Sequence, residues 1–127
     1  MSYVPKYILK RLVPKDGVKK VDDGVEINVV NVISPIPAAD IPGNPLDEIR
    51  VFADDEELSK EDKEKVTIEA EGEKHSLEDF KEFGDIAVGT QFKIFFPSDE
   101  YEAGQEVKLG IQVEVANMKI EFTREIQ

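Results

Sequence analysis

The side chains able to do chemistry are few in kind. His75 is the sole histidine, and there is no cysteine. An imidazole can serve as a general base or a metal ligand. No second His or Cys exists to complete a metal set or a nucleophile–base triad. The neighbours Glu73, Lys74 and Glu78 suit a solvent-exposed turn, so His75 is read as structural. The densest acidic run is Asp54-Asp55-Glu56-Glu57, followed by Glu61, Asp62 and Glu64. Oxygen ligands of this kind suit calcium, but the run lacks the central Gly and the twelfth-position Glu of an EF-hand loop. It reads as a charged turn and a short solvated helix, balanced by Lys60, Lys63 and Lys65. Among 28 acidic residues, carboxylate pairs with the separation of a glycosidase acid and base arise by chance, so counting them decides nothing. The glycines match no P-loop, dinucleotide fingerprint or nucleophile elbow. No catalytic residue and no cofactor is assigned.

Charge narrows the partners. The 127 residues carry a net charge of −12, which opposes nucleic acid, because that binding depends on neutralising phosphates with Lys and Arg. The charge is uneven. Residues 1–21 hold six basic side chains against one acid, so this stretch is +5 and the remainder −17. Lys6, Lys10 and Arg11 form a candidate basic arm that docks on an acidic surface, its own or a partner's. The competing reading is a strand with a solvated Lys-rich face that guards a sheet edge. No apolar stretch has the length of a signal peptide or a membrane span. A cytoplasmic protein without membrane contact is expected.

Strands must position whatever site exists. Val107, Leu109, Ile111, Val113 and Val115 alternate with polar or small residues, the period-two signature of a half-buried strand. Met118, Ile120 and Phe122 continue it, as a hairpin through Ala116-Asn117 or as one long bent strand. Similar alternation marks 25–29, 49–53, 66–70 and 92–96. Asp22-Asp23-Gly24 suggests a hairpin with a strand at 18–21, and Tyr7 to Val13 reads as a weaker strand. Ser59 and Ser76 open two very short helices near 59–65 and 77–83. The whole predicts one all-β domain over 1–127, an antiparallel β-sandwich or open barrel of seven or eight short strands. Its expected core is Ile27, Val29, Ile49, Val51, Val66, Ile68, Phe92, Ile94, Leu109, Ile111, Val113 and Ile120. Gly110 inside a strand suggests a bulge or a close approach of another backbone.

One segment breaks the rhythm. Residues 34–46 contain four of the seven prolines, which exclude a central strand or a helix. The loop still carries Ile36, Ile41 and Leu46. Pro35, Ile36, Pro37, Ile41, Pro42 and Leu46 are therefore a candidate partner-binding surface, stiffened so that less entropy is lost on docking. The alternative is a crossover between sheets whose apolar residues plug the end of the sandwich.

The order of motifs in residues 45–116 resembles a known family. It runs through Asp47-Glu48-Ile49-Arg50-Val51, the acidic turn Asp54 to Leu58, and the strand Val66-Thr67-Ile68. It continues through Gly72-Glu73-Lys74-His75-Ser76-Leu77-Glu78-Asp79-Phe80, the strand Phe92 to Phe96, and Tyr101-Glu102-Ala103-Gly104-Gln105-Glu106-Val107. This is similar to the small β-sandwich subunits of the C-glycoside deglycosidases. The resemblance implies a non-catalytic accessory subunit that completes or stabilises a TIM-barrel, sugar-isomerase-like enzyme whose larger subunit holds the metal and catalytic groups. It assigns no catalytic residue here. Two other readings remain: a homo-oligomeric interaction domain, and a small sugar- or calcium-binding module. The absence of Trp disfavours an autonomous sugar platform.

Overall fold

The computed structural model describes residues 2–3, 5–32, 35–113 and 118–127. In chain order the strands are β1 (Ser2–Tyr3), β2 (Val18–Val21), β3 (Gly24–Val30), β4 (Ile36–Pro37), β5 (Ile49–Ala53), β6 (Glu56–Glu57), β7 (Thr67–Ala70), β8 (Glu73–Ser76), β9 (Asp85–Ile86), β10 (Gln91–Pro97), β11 (Glu106–Val113) and β12 (Met118–Glu125). Three α-helical segments, α1 (Lys6–Leu12), α2 (Pro45–Glu48) and α3 (Lys60–Lys63), and two 3-10 turns complete the described elements.

The strands form two five-stranded sheets, β1-β12-β11-β5-β6 and β2-β3-β10-β7-β8, with β4 and β9 as a separate pair. Pairing is antiparallel except between β1 and β12. Residue alternation sends one face of each sheet inward. The inward set is Ile27, Val29, Ile68, Ile94 and Phe96 from one sheet and Ile49, Val51, Val107, Leu109 and Phe122 from the other, joined in one apolar cluster. The expected β-sandwich is the observed fold. Eight of the twelve expected core residues are buried; Phe92, Ile111, Val113 and Ile120 are only half-buried.

Met118 pairs with Val113, so β11 and β12 form a hairpin rather than one bent strand. Its connecting residues, Ala116 and Asn117 among them, lie outside the described set, as do Ile33 and Ser34. Gly110 carries no bulge. The register on both sides of β11 is continuous, and a Cβ at Gly110 would lie 3.5 Å from Phe52 Cβ on the outer face. That is an ordinary van der Waals distance, so neither the expected bulge nor a close backbone approach is found there. Gly24 is a stricter case, because a Cβ there would overlap the Phe96 carbonyl.

Local readings differ at four places. Tyr7 to Val13 is helix α1, not a strand. Pro5 precedes it and Pro14 follows, and the turn between them brings Ile8, Leu9 and Leu12 to the protein side. The Pro-rich segment does contain helix: Pro45 occupies the first turn of α2, where its missing N–H costs nothing, and Asn44 Oδ1 accepts from Leu46 N at 2.9 Å. Short helices are therefore more numerous than the two expected. The helix near 77–83 shrinks to a 3-10 turn at Phe80–Phe83. β8 is the fourth difference. It is a polar edge strand without apolar alternation, joined to β7 through Glu71 and Gly72, both at positive φ.

Two long cationic side chains hold the places where the chain leaves a sheet. Lys63 of α3 is 6% exposed. Its Nζ donates to the Leu46 carbonyl and, at 3.1 Å, to the Ile49 carbonyl, tying α3 to the α2–β5 junction. Arg124 of β12 donates through Nη2 to Val13 O at 2.8 Å and Leu9 O at 3.3 Å, closing the C-terminal end of α1 with a positive charge. Beyond β12, Gln127 N donates to Val18 O at 2.8 Å and Lys20 N to Gln127 O at 3.0 Å, which stitches the two sheets along one side. No helix among the described residues is long and apolar enough to cross a membrane.

The Lys63 contacts generate a prediction. Replacing Lys63 by Met keeps the apolar stem but removes the donor from two buried carbonyls, at a cost of about 2–3 kcal/mol. Urea unfolding of the variant should show that loss; an unchanged midpoint would mean the carbonyls find other donors.

Candidate functional site

The proline-rich loop is a crossover. It carries the chain from β3 in one sheet to β5 in the other. Ile36 pairs with Ile86 in the β4–β9 ribbon, and Ala38–Asp40 forms a 3-10 turn against the one at Phe80–Phe83. Ile41 and Leu46 are 6% and 1% exposed and belong to the core cluster. This corrects the expectation that they anchor a partner: they plug the sandwich. Ile36 is half-buried, and Pro35, Pro37 and Pro42 remain exposed.

His75 is not on an exposed turn. It faces Ile68 across the β7–β8 pair and meets the Phe83 ring edge-on, with centroids 4.6 Å apart. Its Nε2 is buried without a hydrogen-bonding partner among the described residues. Among the described residues, no carboxylate meets this nitrogen to orient the ring as a base. Ser76 Oγ instead accepts from Asp79 N at 3.4 Å and caps the following turn.

The acidic run makes a two-residue hairpin turn between β5 and β6. Asp54 and Asp55 both have positive φ, the conformation of a type I′ turn. Three of its four carboxylates are engaged. Asp54 accepts from Tyr101 Oη at 2.9 Å and from Lys108 N at 3.0 Å. Asp55 pairs with Lys108 Nζ at 2.8 Å, and that bond holds the Lys108 ammonium above its usual range. Arg50 grips Glu57 with Nε and Nη2 at 2.9 and 2.8 Å, and keeps its carboxyl below the usual range. Among the described residues, no three His, Cys, Asp or Glu side chains converge as a metal site.

Beside this turn the sandwich opens. A cleft of about 360 Å³ lies between the β5–β6 hairpin, α3 and the connection from β10 to β11. Its floor is the end of the core: Val25, Val66, Phe96, Val107 and Leu109. Its rim carries Glu56, Glu57, Asp62, Asp99 and Glu100, with Lys65 as the basic member. Tyr101 forms one wall. Burial, then the bond to Asp54 and the negative field of Asp54, Glu100 and Glu56, push its phenol up to about 12. The cleft thus joins an apolar floor to a negative mouth. A second depression, of about 380 Å³, lies against β3, β7 and β10 and is lined by Asn28, Val30, Glu69, Gln91 and Lys93; its charges are mixed.

The basic arm is the outer face of α1. Lys6, Lys10 and Arg11 are exposed, as the sequence led one to expect, but on a helix. Between them stands Tyr7, at 71% the most exposed large apolar side chain among the described residues. Sequence reasoning passed over Tyr7 because a strand reading alternates it with Ile8. The flanking prolines at 5 and 14 were the available signal for a helix.

Two predictions follow from these placements. Ile41→Ala should destabilise the fold by about 2–5 kcal/mol, as loss of a buried branched side chain does, while Pro42→Ser should change it by under about 0.5 kcal/mol; thermal melts of both variants measure the contrast. For Tyr101, the folded-state phenol is raised above its unfolded value, so its contribution is complete below pH 10 and is lost as pH rises toward 12. Absorbance at 295 nm should show one tyrosinate appearing near pH 12, missing in Tyr101→Phe, and the variant should lose less stability than the parent over that interval.

Compared with protein-family models, with curated proteins and with solved structures, the chain matches none.

Proposed function

We propose that this chain is a non-catalytic accessory subunit, which binds a larger protein through the outer face of α1. The observation that carries this reading is Tyr7, 71% exposed beside Lys6, Lys10 and Arg11 on a chain of net charge −12. A rigid aromatic side chain within a cationic frame is a common form of interface anchor. Arg124 bonds the C-terminal carbonyls of α1, so the face is presented in a fixed pose and little ordering is needed on docking. The partner surface is acidic. The resemblance of residues 45–116 to the small subunits of the C-glycoside deglycosidases names its class: a TIM-barrel, sugar-isomerase-like enzyme that holds the catalytic groups and works in the cytoplasm.

The test is reconstitution. The chain is mixed with a sugar-isomerase-like TIM-barrel catalytic subunit of a C-glycoside deglycosidase, and complex formation and C-glycoside cleavage are measured with and without it. Cleavage should depend on the chain, and Tyr7→Ser should weaken the complex about tenfold or more, as loss of an aromatic anchor does. Barrel activity indifferent to the chain would end this reading.

A further inference from the structure

We propose that the cleft beside the β5–β6 turn receives α1 of a second copy of this chain, so that the protein associates head to tail. Charge complementarity is the first ground. Lys6, Lys10 and Arg11 face outward on α1, and the mouth of the cleft carries Glu56, Asp62, Asp99 and Glu100. Among the described residues, none of these four makes an ion pair. The pattern extends along the chain, with residues 1–21 at +5 and the rest at −17. Net repulsion between two copies is therefore opposed locally at one contact, which selects orientation more than it adds affinity.

Apolar fit is the second ground. Tyr7 stands at the centre of the basic face with 71% of its surface exposed. The cleft holds about 360 Å³ above a floor of core side chains, room for an aromatic ring with its hydroxyl left in the wet mouth. Dispersion and burial reward the ring there, and the surrounding carboxylates meet the three cations.

The contact cannot be satisfied within one molecule as folded, since no α1 residue lines the cleft. The two complementary patches therefore lie on different parts of the same surface. Such a contact is heterologous: it repeats in one direction and ends only if a ring closes. It does not rest on the accessory-subunit reading, because it is a property of the chain alone. A larger partner that takes α1 would compete with it.

Sedimentation velocity on the full chain tests the proposal. Association should rise with concentration and weaken as salt is raised from 0.05 to 0.5 M, since the distance over which exposed charges act shrinks from roughly 14 to 4 Å in that range. Lys10→Glu with Arg11→Glu should weaken it about tenfold or more, and so should Glu56→Lys with Glu100→Lys. All four positions are exposed, and thermal melts check that both double variants fold. Mixed together, the two variants should associate again, because each then offers the complement the other lacks. A chain that stays monomeric to about 1 mM, the range of weak complexes, overturns the proposal and leaves the cleft to a basic segment of another protein. Association indifferent to both reversals, or no rescue on mixing, overturns it as well.

Discussion

Everything in this protein follows from the need to hide one face of each long strand. β3, β10, β11 and β12 alternate apolar and polar residues, and none can be stable with its apolar face in water. Two sheets laid face to face solve this. The solution forces the chain to leave one sheet and enter the other four times between described strands: from β1 to β2, from β3 to β5, from β6 to β7 and from β10 to β11. At each departure backbone groups lose their ladder partners and must find others, because an unpaired buried carbonyl is costly.

The side chains at these corners make sense in that light. Lys63 is a charged residue inside the protein because its ammonium bonds two carbonyls at the corner where α2 meets β5. Arg124 does the same for α1, and a guanidinium suits the task because its fork serves two carbonyls at once. Asp54 accepts from Tyr101 and from the β11 backbone, fixing the β5–β6 turn against the connection that leads into β11. The polar ladder over Phe52 covers the outer face of the other hairpin. Lys119 Nζ lies 4.6 Å and Arg50 Cζ 5.3 Å from the centre of its ring, so the aromatic face that closes over Gly110 is itself covered by cations. Much of the charge that looks like chemistry in the sequence is thus architecture.

What remains after those ties are drawn lies at two places, the outer face of α1 and the mouth of the acidic cleft. Both owe their position to the same corners. Arg124 sets the pose of α1, and the Asp54–Tyr101 bond sets one wall of the cleft. A mutation at either tie would shift α1 or the cleft wall without changing the residues exposed there.

The sequence by itself determined an antiparallel all-β domain. Period-two runs in β3, β5, β7, β10, β11 and β12 are a local property of the chain and call for an antiparallel sandwich or an open barrel; the stacking of two separate sheets is decided by the tertiary structure. It also determined the hairpin turn at Asp22-Asp23 and the cap at Ser59, because turn chemistry acts over three or four residues. It could not show that α1 is a helix: seven residues are too few for the 3.6 period to stand out against alternation. It could not show β8, whose polar edge carries no pattern. Nor could it decide which way Ile41 and Leu46 point, since a proline-rich run looks the same whether its apolar residues face inward or outward. That depends on residues far away in the chain, on the β9 pairing and the Phe80–Phe83 turn that receive the loop. The cleft and the Tyr7 face likewise exist only after folding, because each is assembled from, or held by, segments that meet across the sandwich and share no local signal.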